Sequence, residues 1–397
     1  MTTHGVHASP APGSVAGASL EVLYQWSRLE WQLDDEEAAG AFERDRRWRG
    51  ALAAGFKIDR DGNHYLSVPR WSPGIPATVN RVLIVDGRPK LVPYPSPGMN
   101  EIGNPDAFQS VLGWEIDEQN RAWFLDQGHL EGAPCADGAQ KLVCWDLSTN
   151  TLVRSVPIPT EIADFTASFL NDVVVDNVNG FAYIADSGIY TDPLQGGLIV
   201  YDITRDRLRR VLHQHVSTQD VPGYWFEIDG QRIWPDVPMR TGADGIALAA
   251  DRRTLYWSAL TARHLYAIDT AVLRDFETAD DVIAAAVVDL GDKGTNTDGL
   301  GADNRGRIYY TMLEGKGIGV YDPDTRTFAP LLTDERMVWV DGMTFDNAGG
   351  LVFNSNRLHL LLRDALDWDA PDNMIVWRAF LGDGVKSYLH AAAAPLG

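Results

Sequence analysis

The stretch DGIALAADRRTLY, Asp244 to Tyr256, decides the fold, because its pattern returns five more times along the chain. DGLGADNRGRIYY begins at Asp298 and DGMTFDNAGGLVF at Asp341. AGFKIDRDGNHYL from Ala54, LGWEIDEQNRAWF from Leu112 and NDVVVDNVNGFAY from Asn171 align beneath them. Each copy is a short apolar run, a polar turn usually carrying Asp, Asn or Gly, and a second run with an aromatic near its end. That is the pattern of a β-hairpin. The starts lie roughly 43 to 73 residues apart, close to the period of four-stranded propeller blades once loop insertions are allowed. The expectation is an all-β fold, a six-bladed β-propeller with four-stranded blades around a central channel.

Closing a propeller aims the innermost strand of every blade at one axis, so the first position of the repeat predicts a ring. It reads Ala54, Leu112, Asn171, Asp244, Asp298 and Asp341, half apolar and half polar or acidic. The second position is Gly in five copies, where backbones crowd or turn, and Asp172 in the third. Three carboxylates sharing one channel repel one another. At roughly 7 Å and an effective dielectric near 20, each pair costs about 2.4 kcal/mol. A metal ion, a cationic ligand, donated hydrogen bonds or a retained proton must offset this. The alternative is that each Asp-Gly pair caps its strand, the carboxylate accepting backbone N–H groups of a neighbouring blade.

The formal net charge of −21 argues against nucleic acid and anionic membranes as partners. It suits cations and amines. With 45% hydrophobic residues, 37 Gly and 21 Pro, the chain has the composition of a globular, turn-rich protein. Because the repeats run on without a linker, residues 21–390 are expected to form one domain, acting as a monomer. Residues 1–20, small, polar and Pro/Gly-rich, read as a disordered leader, and residues 391–397 as a frayed tail. No segment has the length needed to span a bilayer, and no signal-peptide core precedes the repeats. The expected location is cytoplasmic, or secreted if an export signal has been trimmed. Cys135 and Cys144 fit neither a zinc knuckle nor a CxxC pair, and are read as two thiols or one disulfide.

Propellers close by pairing a strand from one terminus into a blade built by the other. The segments Leu20 to Leu33 and Asp372 to Leu381 are the candidates. Between repeats, KLVCWDL, GLIVYDI, HLYAIDT and GIGVYDP predict outer strands ending in a turn-capping Asp. The long step between the third and fourth repeats contains His213, His215, Tyr224, Trp225 and Trp234, an insertion able to roof one channel mouth. The two histidines lack a third ligand nearby and read as ordinary surface or packed residues.

Several local phrases are more specific. YLSVPRWSPGIPATVNRVL (Tyr65 to Leu83) and AWFLDQGHLEGAPCADGAQKLVCWDL (Ala122 to Leu147) resemble segments of the Yellow and major royal jelly protein family. AYIADSGIYTDPLQGGLIVYDI, RTLYWSALTARHLYAIDT and the SNRLHLLL stretch from Ser355 continue the likeness, which covers about Glu21 to Arg378. The resemblance is to a bacterial-type member without the secretion signal usual in insect relatives. It implies a six-bladed propeller whose channel binds small amines or acts on oxidised catechols such as dopachrome. A wider likeness, to gluconolactonase-like propellers, implies an axial calcium held by a first-blade Glu and by Asn or Asp of the third to fifth blades. Asn171, Asp244 and Asp298 stand at the last three positions, while Ala54 occupies the first. No other cofactor is implied.

Two functional readings follow. In the first, the chain is a small-molecule enzyme, with Asp244, Asp298 and Asp341 as acid/base groups for isomerisation or tautomerisation. With calcium on Asn171, Asp244 and Asp298, metal-assisted lactone hydrolysis is the other chemistry. Asn171, Asp172, Arg70, Trp71 and Trp114 are the expected substrate contacts, Arg70 for an anion and Trp71 as an aromatic wall. In the second reading the same groups make a non-catalytic cage for small aromatic amines. A propeller used only as an outer-face scaffold would leave the acidic cluster unexplained. The sequence shows no Ser-His-Asp elbow, phosphate-cradling loop, or haem or flavin motif.

Overall fold

The repeated phrase folds as a hairpin in every copy, and in five of the six its sixth residue, an Asp, explains why; the copy from Asp244 has Ala249 there and uses Asp251, which accepts the Arg253 amide. In a computed structural model describing residues 19–390, Asp117 Oδ1 accepts the backbone N–H groups of Gln119 and Arg121. Its Oδ2 takes the Arg121 guanidinium and the Trp123 indole N–H. Asp303 repeats the arrangement with Arg305, Arg307 and Tyr309. Asp59 repeats it with Asp61, Asn63 and Tyr65. One carboxylate thus closes the turn and ties it to the returning strand. The turn also needs a left-handed residue, supplied by Gly62, Asn120, Gly180, Arg252, Gly306 and Gly349, all at positive φ.

These hairpins are the inner halves of six four-stranded antiparallel sheets, the blades of a β-propeller. The chain divides into two compact units with three blades in each. The first unit takes residues 19–157 and 336–382. Its first blade comprises Phe56–Ile58, His64–Ser67, Val79–Val85 and Arg88–Pro93. Val111–Ile116, Arg121–Asp126, Lys141–Asp146 and Thr151–Pro157 form its second. The remaining blade combines Val340–Phe345, Gly350–Ser355 and Met374–Phe380 with the N-terminal strand Ser19–Trp26, which pairs antiparallel to Met374–Phe380. The two expected closing segments therefore meet, and the exposed edge of strand 374–380 is covered. The acidic segment beyond forms the helix Glu36–Arg44, capped by the Asp35 carboxylate, and buries Phe42 against Trp31.

The second unit takes residues 158–335 and 383–390 of the described chain. Its blades begin with the strands Leu170–Asp176, Ala243–Leu248 and Leu300–Ala302. The outer strands end as expected: Asp202 caps the turn at Thr204 and Arg205, and Asp322 the turn at Asp324 and Thr325. Tyr388 anchors the C-terminal segment, its hydroxyl bonding both the N–H and the C=O of Val175. The insertion after Val211 carries the short hairpin Glu227–Ile228/Gln231–Arg232 and docks through Tyr224, whose hydroxyl donates to Asn296 Oδ1 at 2.8 Å.

Burial of aromatics holds each unit. Trp114 stacks on Phe124 at 4.9 Å in the first, within a cluster that includes Tyr65 and Phe108. Trp257, Tyr183 and Tyr310 lie in the core of the second. Each such side chain contributes about 1.5–3 kcal/mol by leaving water. Cys135 and Cys144 are free and buried, and burial pushes the Cys144 thiol up to about 12, so neither is a ready nucleophile. The expected leader and tail include residues 1–18 and 391–397, which lie outside the described residues. Among the described residues no helix is long and apolar enough to cross a membrane.

Candidate functional site

In four of the six copies the first position of the repeat lies where the inner strand breaks register. The pairing of the inner strand with its neighbour shifts between Val111 and Trp114, Leu170 and Asp172, Ala243 and Ile246, and Val340 and Met343, whereas Phe56–Ile58 and Leu300–Ala302 pair in continuous register and begin after Ala54 and Asp298. Leu112, Asn171, Asp244 and Asp341 all fall in these bulges. A bulge leaves a residue outside the ladder and re-aims its side chain. Alternating hydropathy gives no sign of such a break, so the expectation of plain strands missed it. The glycine that follows permits close approach. A Cβ on Gly245 would stand 2.5 Å from the Asp298 carbonyl oxygen, and one on Gly55 2.9 Å from that of Leu112.

In the second unit the bulges place a polar network. Asn171 Nδ2 donates to Asp244 Oδ2 at 2.8 Å and to Ser187 Oγ at 3.2 Å. Ser187 Oγ in turn donates to the Ala243 carbonyl at 2.6 Å. Both amide protons of Asn171 are thereby used, which fixes the carboxamide and presents its Oδ1 as an acceptor. Asp244 is 2% exposed, Asp298 7% and Asn171 9%. The amides of Asp298 and Gly299 both donate to Thr311 Oγ1. Ser187 and Thr311 were not anticipated. Thr311 directly follows its repeat, as Ser67 does, and Ser67 Oγ likewise accepts the Gly55 amide at 2.8 Å. A hydroxyl after the repeat was the available signal.

This donor set fits a hard cation by its chemistry. Two carboxylates and a presented carboxamide oxygen are the ligands calcium favours, and no sulfur or imidazole intrudes. Ala54, in the first unit, carries no ligating atom in its side chain. Among the described residues no group of three or more His, Cys, Asp or Glu side chains is placed to hold a metal. A cation here would depend on the carboxamide of Asn171 as well as on Asp244 and Asp298.

The other expected residues have different surroundings. Asp341, in the first unit, accepts a 2.6 Å hydrogen bond from Asn356 Nδ2, which also donates to the Ala53 carbonyl. Asp172 is half-buried and accepts the N–H of Val173. Arg70 is 2% exposed, and all five of its side-chain N–H groups go to backbone carbonyls, of Ile75, Pro76, Asn100, Phe108 and Gln109. None remains for an anion, so the expected substrate contact gives way to a brace. Burial pulls this guanidinium down to about 10. Trp114 is likewise a core residue, 1% exposed with its indole N–H on the Gly55 carbonyl, and offers no face to a ligand. Trp71 stays half-buried, its N–H on Gln127 Oε1 at 3.1 Å. His213 and His215 serve locally, His213 accepting from Arg210 and His215 capping Ser217.

Six four-stranded antiparallel blades, with Asn171, Asp244 and Asp298 at the first repeat position in the second unit, define the class as a six-bladed β-propeller. A model of the major royal jelly protein family matches residues 109–384. The chain belongs to that family. The Drosophila yakuba protein named Protein yellow is 29% identical over 390 residues, covering 89% of this chain and 68% of that protein. Protein yellow of Drosophila melanogaster is 29% identical over 386 residues with the same coverages. Among solved structures, a luciferin-regenerating enzyme aligns over 95% of this chain and 98% of its own, with TM-score 0.53 and 12% identity. A gluconolactonase from Xanthomonas campestris aligns over 96% and 99%, with TM-score 0.51 and 14% identity. The calcium-binding protein regucalcin from Agrobacterium tumefaciens covers 87% and 93%, with TM-score 0.51 and 13% identity. At these identities the structural likeness establishes the fold.

Proposed function

We propose that this chain is a small-molecule enzyme whose chemistry is seated on Asn171, Asp244 and Asp298. The observation that carries the reading is the orientation of Asn171, whose two amide protons are committed to Asp244 and Ser187. Its oxygen and the carboxylates together offer an all-oxygen set with two negative charges. Asp244, withdrawn from water and held by Asn171, is the general base. Low local dielectric strengthens its interaction with a positive or proton-donating group. Asp298 supplies the second charge. A bound calcium would polarise a substrate carbonyl, as lactone hydrolysis requires. Without a metal, the same carboxylates suit proton abstraction in a tautomerisation of the dopachrome type.

One observation favours a second reading, a non-catalytic site for small aromatic amines. Tyr224 hydrogen-bonds Asn296, two residues before Asp298, so the insertion brings an aromatic ring to the same loop. Asp298→Asn separates the two. Loss of turnover with ligand affinity largely kept supports the enzyme. Affinity falling in step with activity, or no turnover across lactones, aryl esters and aminochromes, supports the binder. Metal analysis of protein purified without chelator, with melts before and after EDTA and calcium re-addition, tests the cation. Stoichiometric calcium with a reversible gain in Tm favours the lactonase chemistry, and its absence favours tautomerisation.

A further inference from the structure

The second unit contains a groove of about 690 Å³, within the range of small-molecule sites, away from the Asn171–Asp244 network. It lies at the turn ends of the strands Phe181–Asp186, Gly197–Asp202 and Arg207–Val211, and is bounded by the short helix Thr270–Arg274. Three arginines line it, in a chain whose net charge is −21. Arg205 is committed to Asp202 at 2.9 Å. Arg207 and Arg274 form no ion pair among the described residues. The neighbouring arginines differ: Arg209 pairs with Asp280 and Arg210 with Asp186, each at 2.7 Å.

The groove's three carboxylates, Asp202, Asp275 and Glu277, equal its arginines in number, but none of them pairs with Arg207 or Arg274, whose N–H groups are left for a ligand. Asp202 is occupied by Arg205 and by the turn amides of Thr204 and Arg205. Asp275 accepts the Glu277 amide, and Glu277 lies on the rim. Arg207 is also held in place, its guanidinium 5.2 Å from the centroid of Phe276. Stacking occupies the flat face of a guanidinium and leaves its N–H edge to fork an oxyanion. Phe276 and the largely buried Phe181 add aromatic lining to the groove.

We propose that this groove binds an aromatic oxyanion, an aryl phosphate, sulfate or carboxylate. Arg207 and Arg274 grip the charged group while the ring lies against Phe276 and Phe181. The site is independent of the chemistry proposed for Asn171, Asp244 and Asp298.

Titration calorimetry on the full chain tests it with phenyl phosphate, benzoate and inorganic phosphate as probes. Phenyl phosphate is expected to bind saturably and about tenfold more tightly than inorganic phosphate, since a buried ring adds about 1.4 kcal/mol or more. Arg207→Gln combined with Arg274→Gln should weaken it at least tenfold without changing Tm, because both side chains reach solvent. Arg207→Lys keeps the charge but loses the fork and the stack, and should weaken it about fivefold. Asp298→Asn should bind phenyl phosphate as the parent does. The proposal is overturned by no saturable binding up to about 5 mM, by unchanged affinity in the double variant, or by equal affinity for phenyl and inorganic phosphate.

Discussion

The same thirteen-residue phrase builds two different inner edges in the two units. In the second unit its first position supplies Asn171, Asp244 and Asp298, and Asn171 is bonded directly to Asp244. In the first unit that position supplies Ala54, Leu112 and Asp341, and Asp341 is answered by an asparagine outside the repeat, Asn356. The turn Asp, the left-handed turn residue and the returning aromatic recur in both units. Fold and chemistry are therefore written at different positions of one repeat. The fold positions face turns and core, where any copy must satisfy the same amides. The first position sits outside the ladder, in a bulge in four copies and ahead of the strand at Ala54 and Asp298, where its identity is free to change.

Arg70 is the sharpest way to test the structural half of this comparison. Arg70→Met leaves five carbonyls, four of them on buried residues, without their donor and should destabilise the protein by about 3–5 kcal/mol, read by urea unfolding. A loss below about 0.5 kcal/mol would show that the brace carries no weight. For the chemical half, Asp244→Asn should lower turnover at least about 100-fold, while Asp341→Asn stays within about threefold. Equal losses in steady-state assays would erase the distinction between the units.

A finer contrast uses the second position of the repeat. Gly245→Ala drives a methyl to within 2.5 Å of the Asp298 carbonyl oxygen and 2.9 Å of the Leu300 nitrogen, both of them backbone atoms. It should cost about 1–3 kcal/mol. Gly342→Ala meets nothing nearer than 3.5 Å and should change stability by less than about 1 kcal/mol. Thermal melts of the two variants side by side decide this. Similar losses would mean the inner strands crowd alike.

The smallest expected effect is confined to the first unit. Tyr24 OH lies 2.5 Å from His64 Nδ1, joining the N-terminal strand to the first blade. Burial lowers the His64 pKa, partly opposed by the nearby Asp59 charge. On acidification the unfolded chain therefore takes up the proton first. The His64 contribution is intact above about pH 6.5 and declines as pH falls from there toward the folded value. His64→Gln should flatten the fall in urea midpoint between about pH 7.5 and 5.5, and an unchanged slope would assign the acid sensitivity elsewhere.

The sequence by itself determined the six hairpins, the closing strands, the turn-capping Asp residues and the family. All of these depend on local periodicity and short-range hydrogen bonding, which neighbours in the chain express directly. It also pointed to Asn171 and Asp244 as partners, because equivalent positions of a repeat occupy equivalent places. Only the tertiary structure decided that Arg70 is fully spent on carbonyls and that Trp114 is core. Their partners come from loops and blades distant in sequence, and a motif does not say whether an arginine's protons meet backbone or solvent. The bulges, the hydroxyls of Ser187 and Thr311, and the unpaired Arg207 and Arg274 were likewise settled by packing. Register and ion pairing depend on which groups the fold brings within about 3 Å of each other.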